Sequence, residues 1–134
     1  MLRGMATVTY WAEDFEGAKD WYTELLGVEP YFHVPGAYYE FRIGDYQHEL
    51  GILNRQFAPE GAPTEPGGQV LYWAVDDLQA ALDRLMELGA KEYQPVRTLT
   101  QGFAVASVVD PFGNVLGVMS NPHYMEVLAE TAPA

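Results

Sequence analysis

The segments Ala12-Glu13-Asp14-Phe15 and Val75-Asp76-Asp77-Leu78 resemble each other. Asp14 and Asp77 occupy the same position in the two segments and are 63 residues apart. In each segment the aspartate stands before an apolar helical pattern, where an N-cap residue is expected. The apolar positions of the two patterns correspond one to one: Phe15, Ala18, Tyr22 and Leu25 become Leu78, Ala81, Leu85 and Leu88. A glycine, Gly27 or Gly89, follows each pattern and suits a left-handed helix end. The repeat therefore predicts two copies of one structural unit.

Strand-like runs of apolar and β-branched residues surround both predicted helices. In each half one run precedes the helix and three follow it: 6–11, 31–34, 37–43 and 49–53, then 70–75, 93–97, 103–109 and 115–119. Residues 110–113, Asp-Pro-Phe-Gly, are typical of a type I turn and would join the last two strands. The pattern predicts an α+β fold of two β-α-β-β-β modules, which pair into a cup-shaped mixed β-sheet with the helices outside.

We expect residues 1–134 to form a single domain. Its predicted parts are module 1 at about 6–54, a linker at 55–68, module 2 at about 69–121 and a C-terminal tail at 122–134 with a brief helix near 124–130. The linker is rich in proline and glycine and has little periodic pattern. Because one module alone would leave a sheet face without a packing partner, this linker joins modules and not independent domains.

The composition excludes several classes of partner and site. Nineteen acidic residues against seven basic ones give a net charge of −12, which repels a phosphate backbone, so we expect no nucleic-acid partner. No apolar run approaches the roughly 20 residues that span a bilayer, so we expect no membrane partner. The absence of cysteine excludes disulfides, thiolate metal sites and a cysteine nucleophile, and it fits a cytoplasmic location.

Several motifs occur together in a distinctive order. They are the acidic caps, Trp21-Tyr22, the helix end Glu24-Leu25-Leu26-Gly27, and the late turn Asp110-Pro111-Phe112-Gly113-Asn114. In this order they resemble the vicinal oxygen chelate superfamily, which includes glyoxalase I, bleomycin resistance proteins and extradiol dioxygenases. The resemblance extends from about Ala6 to Met119. It implies paired β-α-β-β-β modules, a small-molecule ligand and often a homodimer, but it does not fix a reaction.

The resemblance also implies four metal-ligand positions, in the first and last strands of each module. Counting from the caps and turns assigns them to Thr7 and Glu49 in module 1 and to Val70 and Gly117 in module 2. A divalent metal needs several converging oxygen or nitrogen donors, whereas the side chains of valine and glycine donate nothing. A shift of one residue would bring in Gln69, or His48 in place of Glu49, and would still leave positions without a donor. We therefore expect no metal ion and no other cofactor.

The alternation of side chains along the strands predicts the lining of the cup. On the third and closing strands of module 1 the apolar and aromatic set belongs against the helix, and the other set points inward. On the opening strands the direction is what the resemblance implies: the ligand position at Thr7 points inward, and so do Thr9, Trp11 and, in module 2, Tyr72. The predicted ligand-binding residues are Thr7, Thr9, Trp11, Tyr38, Glu40, Arg42, Glu49 and Tyr72. Aromatic walls with a few fixed polar groups are usual in pockets for small ligands. The same residues could instead fill a closed core in which Arg42 pairs with Glu40 or Glu49.

These residues leave three functions open. The favoured one is metal-independent binding of an aromatic or planar small molecule, with a role in resistance or sequestration. The second is a lyase, isomerase or dioxygenase acting on a small oxygenated substrate, with either a metal or Glu49 as general base. The third is an interaction module with a closed cup. The sequence does not decide whether the protein is an enzyme, and Glu49 is the one candidate catalytic residue.

Overall fold

The computed structural model describes residues 1–131, and the chain divides into two compact units, Met1–Ala62 and Pro63–Ala134. In the first unit the elements are β1 (Thr7–Ala12), α1 (Phe15–Leu26), β2 (Phe32–Val34), β3 (Tyr38–Ile43) and β4 (His48–Asn54), with a short 3₁₀ turn at Arg55–Phe57. In the second they are β5 (Tyr72–Ala74), α2 (Leu78–Glu87), β6 (Lys91–Thr98), β7 (Ala104–Val109), β8 (Val115–Ser120) and α3 (Pro122–Thr131).

The sheets of the two units have the same topology. Sheet 1 has the strand order β1-β4-β3-β2, and sheet 2 has the order β5-β8-β7-β6. In each sheet the first strand of the unit runs parallel to the last one, and the other neighbours are antiparallel. The prediction of an α+β fold with two β-α-β-β-β modules is confirmed.

Both helices that the repeat predicts begin at the expected caps. The carboxylates of Asp14 and Asp77 each accept a hydrogen bond of 3.0 Å from the backbone N–H three residues further on. Gly27 ends α1 with a left-handed φ of 72°, and Gly89 lies just beyond the end of α2 with a φ of 98°. The acidic caps satisfy N–H groups that a helix start would otherwise leave unpaired, which explains why the repeated Asp marks both helices.

Helix α1 packs its apolar side on one face of sheet 1. Its buried residues are Phe15, Ala18 and Tyr22, and the sheet contributes the buried Phe41, Leu50 and Ile52. Ring contacts join the two layers, with centroids 5.9 Å apart for Tyr10 and Tyr22 and 5.5 Å apart for Phe15 and Tyr39. The apolar residues that recur about every 3.6 positions on the helix therefore pack in one core with those that recur every 2 positions on the strands.

The turn at 110–113 is held by a buried side chain. Oδ1 of Asp110 accepts hydrogen bonds of 2.9 Å from the N–H groups of Phe112 and Asn114. The N–H of Gly113 donates to the carbonyl of Asp110 at 3.2 Å, and the φ of this glycine is 91°. The Asp-Pro-Phe-Gly sequence thus forms a tight connection between β7 and β8, because Asp closes the turn and Gly tolerates its backbone.

Three elements begin two residues away from their predicted start, and the other strands differ by at most one residue at either end. Strand β5 is shorter than 70–75, because on either side its pairing with β8 continues only as single backbone hydrogen bonds of 2.9 and 3.0 Å. Strand β6 is longer than 93–97, because two register shifts let its pairing with β7 pass Pro95, which has no N–H to donate. Helix α3 begins at Pro122 because the side chain of Asn121 accepts a hydrogen bond of 3.0 Å from the N–H of Tyr124.

Other expectations keep the status of predictions. They are the enclosure of a cup by the two sheets, the extent of the linker, and the single domain. Residues 132–134 of the predicted tail lie outside the described residues. Within residues 1–131, no helix is both long enough and apolar enough to cross a membrane.

Candidate functional site

The register of sheet 1 places seven of the eight predicted ligand-binding residues on one face. Side chains of directly paired residues lie on the same side of a sheet, and Glu49 pairs with both Thr7 and Arg42. Helix α1 covers the opposite face, where Tyr10 contacts Tyr22. We call the face turned away from α1 the far face of sheet 1. It carries Thr7, Thr9, Trp11, Tyr38, Glu40, Arg42 and Glu49.

The carboxylate of Glu49 is held by a neighbouring strand. The hydroxyl of Thr7 donates a hydrogen bond of 2.7 Å to Oε1 of Glu49. The two residues are register partners on the parallel strands β1 and β4, so their side chains lie side by side. Among residues 1–131, Thr7 is the hydrogen-bond partner of the Glu49 side chain. Its other oxygen is therefore available to a ligand.

The second carboxylate, Glu40, accepts hydrogen bonds from two phenols. The hydroxyl of Tyr38 donates to Oε1 at 2.6 Å, and the hydroxyl of Tyr31 donates to Oε2. The pKa of Glu40 is raised by burial and by the negative charge of Glu49, an effect that the positive charge of Arg42 partly offsets. Burial and the charge of Glu49 also raise the pKa of Tyr38. The two carboxylates therefore interact electrostatically, although they lie on different strands.

A glycine of β4 makes room for the ring of Tyr38. A Cβ built on Gly51 would lie 2.7 Å from Cζ of Tyr38, much closer than the roughly 3.5–4.0 Å at which two carbon atoms pack. Gly51 is buried, and it pairs with Glu40 on the neighbouring strand. Because position 51 has no side chain, the Tyr38 ring can lie flat on the strand and direct its hydroxyl to Glu40. Gly51 thus determines the position of one aromatic wall.

Arg42 is on the same face but contacts a ring. The Cζ atom of its guanidinium lies 4.3 Å from the ring centroid of Tyr31, a cation–π contact. Among residues 1–131, no ion pair joins Arg42 to Glu40 or to Glu49. The alternative in which these charges form an ion pair inside a closed core therefore differs from the observed geometry.

Two aromatic residues at the start of β2 were missing from the sequence prediction. Phe32 pairs with Glu40 and so faces the same way, and its ring lies 6.5 Å from that of Tyr38. Tyr31 immediately precedes the strand and reaches Glu40 through its hydroxyl. The side chains of Tyr31 and Phe32 are 45% and 49% exposed, which is unusual for adjacent large rings. Both residues lie in the predicted strand 31–34, where alternation places neighbouring side chains on opposite faces and so could not assign both rings to one site.

Tyr72 belongs to sheet 2 of the second unit. It pairs with Gly117, and a Cβ on that glycine would lie 2.7 Å from Cδ1 of the Tyr72 ring. The Tyr72 hydroxyl is 3.5 Å from Oε1 of Gln94, which accepts a hydrogen bond of 3.0 Å from the fully buried Ser107. The place of Tyr72 in a ligand site stays a prediction.

Counting from the caps and turns makes Glu49 and Gly117 equivalent positions of the closing strands β4 and β8. The strand pairing in the two sheets gives a different correspondence. In sheet 1 Gly51 pairs with Thr9, and in sheet 2 Gly117 pairs with Tyr72, which is 63 residues after Thr9. The structural counterpart of Gly117 is therefore Gly51, and Glu49 lies two residues before it. Neither closing strand presents a carboxylate at this equivalent position.

The residues at the four implied metal-ligand positions do not fit a metal ion. The hydroxyl of Thr7 already donates its hydrogen to Glu49. Val70 and Gly117 are neighbours in the second unit, since Cγ1 of Val70 would lie 2.8 Å from a Cβ on Gly117, and neither has a side-chain donor. Within residues 1–131, no three histidine, cysteine, aspartate or glutamate side chains are grouped so as to hold a metal ion.

Known proteins agree with the fold and extend the resemblance. The sequence model of the glyoxalase/bleomycin resistance protein/dioxygenase superfamily matches residues 4–118. The chain belongs to this superfamily. The recognition made from the caps, the helix end and the Asp-Pro-Phe-Gly turn is thereby confirmed. No curated protein matches the sequence significantly.

Solved structures with the same fold are numerous, and the sequence identities are low. A protein from Agrobacterium tumefaciens has a TM-score of 0.74 at 20% identity, over 89% of this chain and 98% of the other. A glyoxalase-related enzyme from Fulvimarina pelagi has a TM-score of 0.70 at 21% identity, over 90% of both chains. A glyoxalase/bleomycin resistance protein from Catenulispora acidiphila has a TM-score of 0.62 at 25% identity, over 89% of this chain and 100% of the other. These similarities establish the fold and leave the reaction open.

Proposed function

We propose that this protein binds an aromatic or planar small molecule on the far face of sheet 1 without the help of a metal ion. The observation that carries the proposal is the combination of exposed or half-buried rings and positioned polar groups on one sheet face. Tyr31, Phe32, Tyr38 and Trp11 supply the rings. Glu40, Glu49 and Arg42 supply hydrogen-bonding groups of fixed position. A few polar groups among aromatic walls are the usual composition of a site for a small ligand.

The polar groups of this face are ordered before any ligand arrives. Thr7 holds Glu49, two phenols hold Glu40, and the Tyr31 ring holds Arg42. A ligand that meets positioned side chains loses less conformational entropy on binding than one that must order them. The aromatic side chains provide the complementary apolar area, since a large ring buries about 150–250 Å² when it is covered. Recognition thus uses groups that the fold already orients.

The proposed biological role is sequestration of the bound compound, including a role in resistance. The superfamily to which the chain belongs contains bleomycin resistance proteins beside glyoxalases and dioxygenases. Two of the four implied metal-ligand positions, Val70 and Gly117, have no side-chain donor, which favours binding over the metal chemistry of other members. We further propose a cytoplasmic homodimer: the absence of cysteine fits a reducing compartment, and the superfamily resemblance implies the dimer. Light scattering after gel filtration tests the oligomeric state.

Calorimetric titration with a panel of fused-ring compounds tests the binding proposal. We expect Trp11→Ala and Phe32→Ala each to weaken binding by about tenfold, because each removes a ring worth roughly 1.5 kcal/mol of contact. Tyr46→Ala is the matched control, since Tyr46 is an exposed ring in the turn between β3 and β4. Equal affinity in the wild type and in all three variants, or no affinity for any member of the panel, would contradict the proposal.

One observation favours a second candidate function, a metal-independent enzyme. Two carboxyl groups on one face, one of them with a raised pKa, resemble the arrangement that separates an acid from a base in many active sites. In this alternative Glu49 takes a proton from a small oxygenated substrate, as expected of a lyase or isomerase. Glu49→Gln would then abolish turnover and leave binding almost unchanged. A stoichiometric metal in elemental analysis of the purified protein would favour the metal-dependent version instead.

A further inference from the structure

The far face of sheet 1 has an unbalanced set of charges. Glu40 on β3 and Glu49 on β4 both point to this face. Their hydrogen-bond donors are the neutral hydroxyls of Tyr31, Tyr38 and Thr7, which orient the carboxylates without cancelling their charge. Glu40 pairs with Gly51, and Glu49 lies two residues before Gly51 on β4, so the two carboxyl-bearing residues are diagonal neighbours on this face, and the negative charge of Glu49 helps to raise the pKa of Glu40. A ligand that brings a positive charge between them would relieve this repulsion.

Arg42 is the register partner of Glu49 and offsets only part of the negative charge of the two carboxylates. Arg42 stacks on the Tyr31 ring at 4.3 Å, and within residues 1–131 it forms no ion pair with Glu40 or Glu49. An anionic ligand that approached Arg42 would meet both carboxylates on the same face. The chain as a whole carries a net charge of −12, which attracts cations and repels anions over several ångströms of solvent. The local charges of this face and the net charge of the chain therefore both favour a positively charged ligand.

The rings of this face are also suited to a cation. The contact between Arg42 and Tyr31 shows that a planar cation is already accommodated over one ring. Phe32 lies beside this pair, with its ring centroid 6.5 Å from that of Tyr31. Aromatic faces attract organic cations by about 0.5–2 kcal/mol, and a carboxylate partner adds a charge-assisted hydrogen bond. Rings and carboxylates on one surface thus complement an aromatic compound with a protonated nitrogen.

From these observations we infer that the ligand of the far face is an aromatic cation, in which a protonated amine or amidine group is attached to the ring system. The ring packs against Trp11 and Phe32, and the N–H groups donate to the available oxygen of Glu49 and to the carboxylate of Glu40. This inference rests on the proposed function and adds the charge class of the ligand. It also gives Arg42 a role, since its position on Tyr31 leaves both carboxylates accessible.

Three probes with the same ring and different charges test the inference by isothermal titration. They are 2-naphthylmethylamine, which is cationic, 2-naphthalenemethanol, which is neutral, and 2-naphthoate, which is anionic. We expect the amine to bind at least about tenfold more tightly than the alcohol, as one charge-assisted hydrogen bond provides. We expect naphthoate to bind most weakly. Glu49→Gln should lower the affinity for the amine by about tenfold and change the affinity for the alcohol by less than about twofold.

The control variant is Glu24→Gln, which removes the same charge from α1 on the other side of sheet 1 and should leave all three affinities unchanged. Salt provides a test that needs no variant: raising sodium chloride from about 50 to about 500 mM should weaken the amine and leave the alcohol unaffected. Equal affinities for amine and alcohol would overturn the inference while the proposed function stands. Tightest binding of naphthoate, lost in Arg42→Gln, would also overturn it. If none of the probes binds, the proposed function fails and the inference fails with it.

Discussion

Replacing Gly51 with alanine tests how the site is built with the smallest possible change. The new methyl carbon would lie 2.7 Å from Cζ of Tyr38, closer than two carbon atoms can approach. The atoms in conflict are at the far end of the Tyr38 side chain, so we expect the ring to swing away and the strand to remain in place. This movement would break the 2.6 Å hydrogen bond from the Tyr38 hydroxyl to Glu40.

The expected cost follows from two opposing terms. A hydrogen bond to a charged group contributes about 1.5–3 kcal/mol to stability. Alanine in a strand lowers the entropy of the unfolded chain and returns about 0.5–1 kcal/mol relative to glycine. The difference is a net loss of about 1–2 kcal/mol in the free energy of unfolding. If Gly51 had open space above it, Gly51→Ala would instead stabilise the protein. The sign of the change in the free energy of unfolding therefore distinguishes the two explanations.

A double-mutant cycle with Tyr38→Phe locates the effect. Urea denaturation of the wild type, Gly51→Ala, Tyr38→Phe and the double variant gives four free energies of unfolding at one pH. If Gly51→Ala acts by breaking the Tyr38–Glu40 hydrogen bond, its cost should shrink by about 1 kcal/mol or more when the hydroxyl is already absent. A stabilised Gly51→Ala variant, or costs that simply add, would refute the proposed packing of Tyr38 on Gly51.

Further predictions concern pH, caps and the turn. Because the pKa of Glu40 is raised, the folded state binds the carboxyl proton of Glu40 more tightly than the unfolded state does. The contribution of this proton to stability is therefore largest below the usual carboxyl pKa of about 4.3, and it falls as pH rises through the pKa of the folded state. The stability of the wild type relative to Glu40→Gln should therefore decrease with pH over this window in urea titrations; a difference that rises with pH would contradict the assignment. Asp14→Ala and Asp77→Ala should each cost about 1 kcal/mol by loss of a cap bond, and Asp14→Asn should recover most of the loss in thermal unfolding. Asp110→Ala should cost more, about 2–4 kcal/mol, because it removes a buried carboxylate that accepts hydrogen bonds from two N–H groups of a half-buried turn; a cost below that of the caps would show that water replaces the carboxylate. Leu50→Ala should cost about 2–5 kcal/mol, since Leu50 is fully buried beneath α1.

Much of the fold was predictable because local signals agree with one another. Asp14 and Asp77 satisfy helix N–H groups through contacts three residues away, and Gly27 and Gly89 adopt a left-handed backbone that other residues avoid. Strand boundaries were less accurate, because the extent of pairing depends on the partner strand. Pro95 illustrates this, since β6 continues past it only through two register shifts with β7.

The candidate site was predictable as a set of residues but not as a set of interactions. Alternation and the apolar sets of their strands assign Glu40 and Glu49 to one face, and the superfamily resemblance adds Thr7. The partners of these residues come from other strands and required the register: Thr7 for Glu49, and Tyr31 and Tyr38 for Glu40. Tyr31 was predicted within a strand and in the structure precedes β2, so alternation could not show its contact with Glu40.

The paired segments around Asp14 and Asp77 thus determined by themselves that the chain forms two β-α-β-β-β modules, because caps, helical stripes and glycine stops act over a few residues. Only the tertiary structure decided that Tyr38 lies over Gly51 and that Arg42 stacks on Tyr31 instead of pairing with a carboxylate. These features depend on which residues meet across strands that are distant in sequence. A local pattern restricts the face on which a side chain lies, whereas its contacts are set by packing.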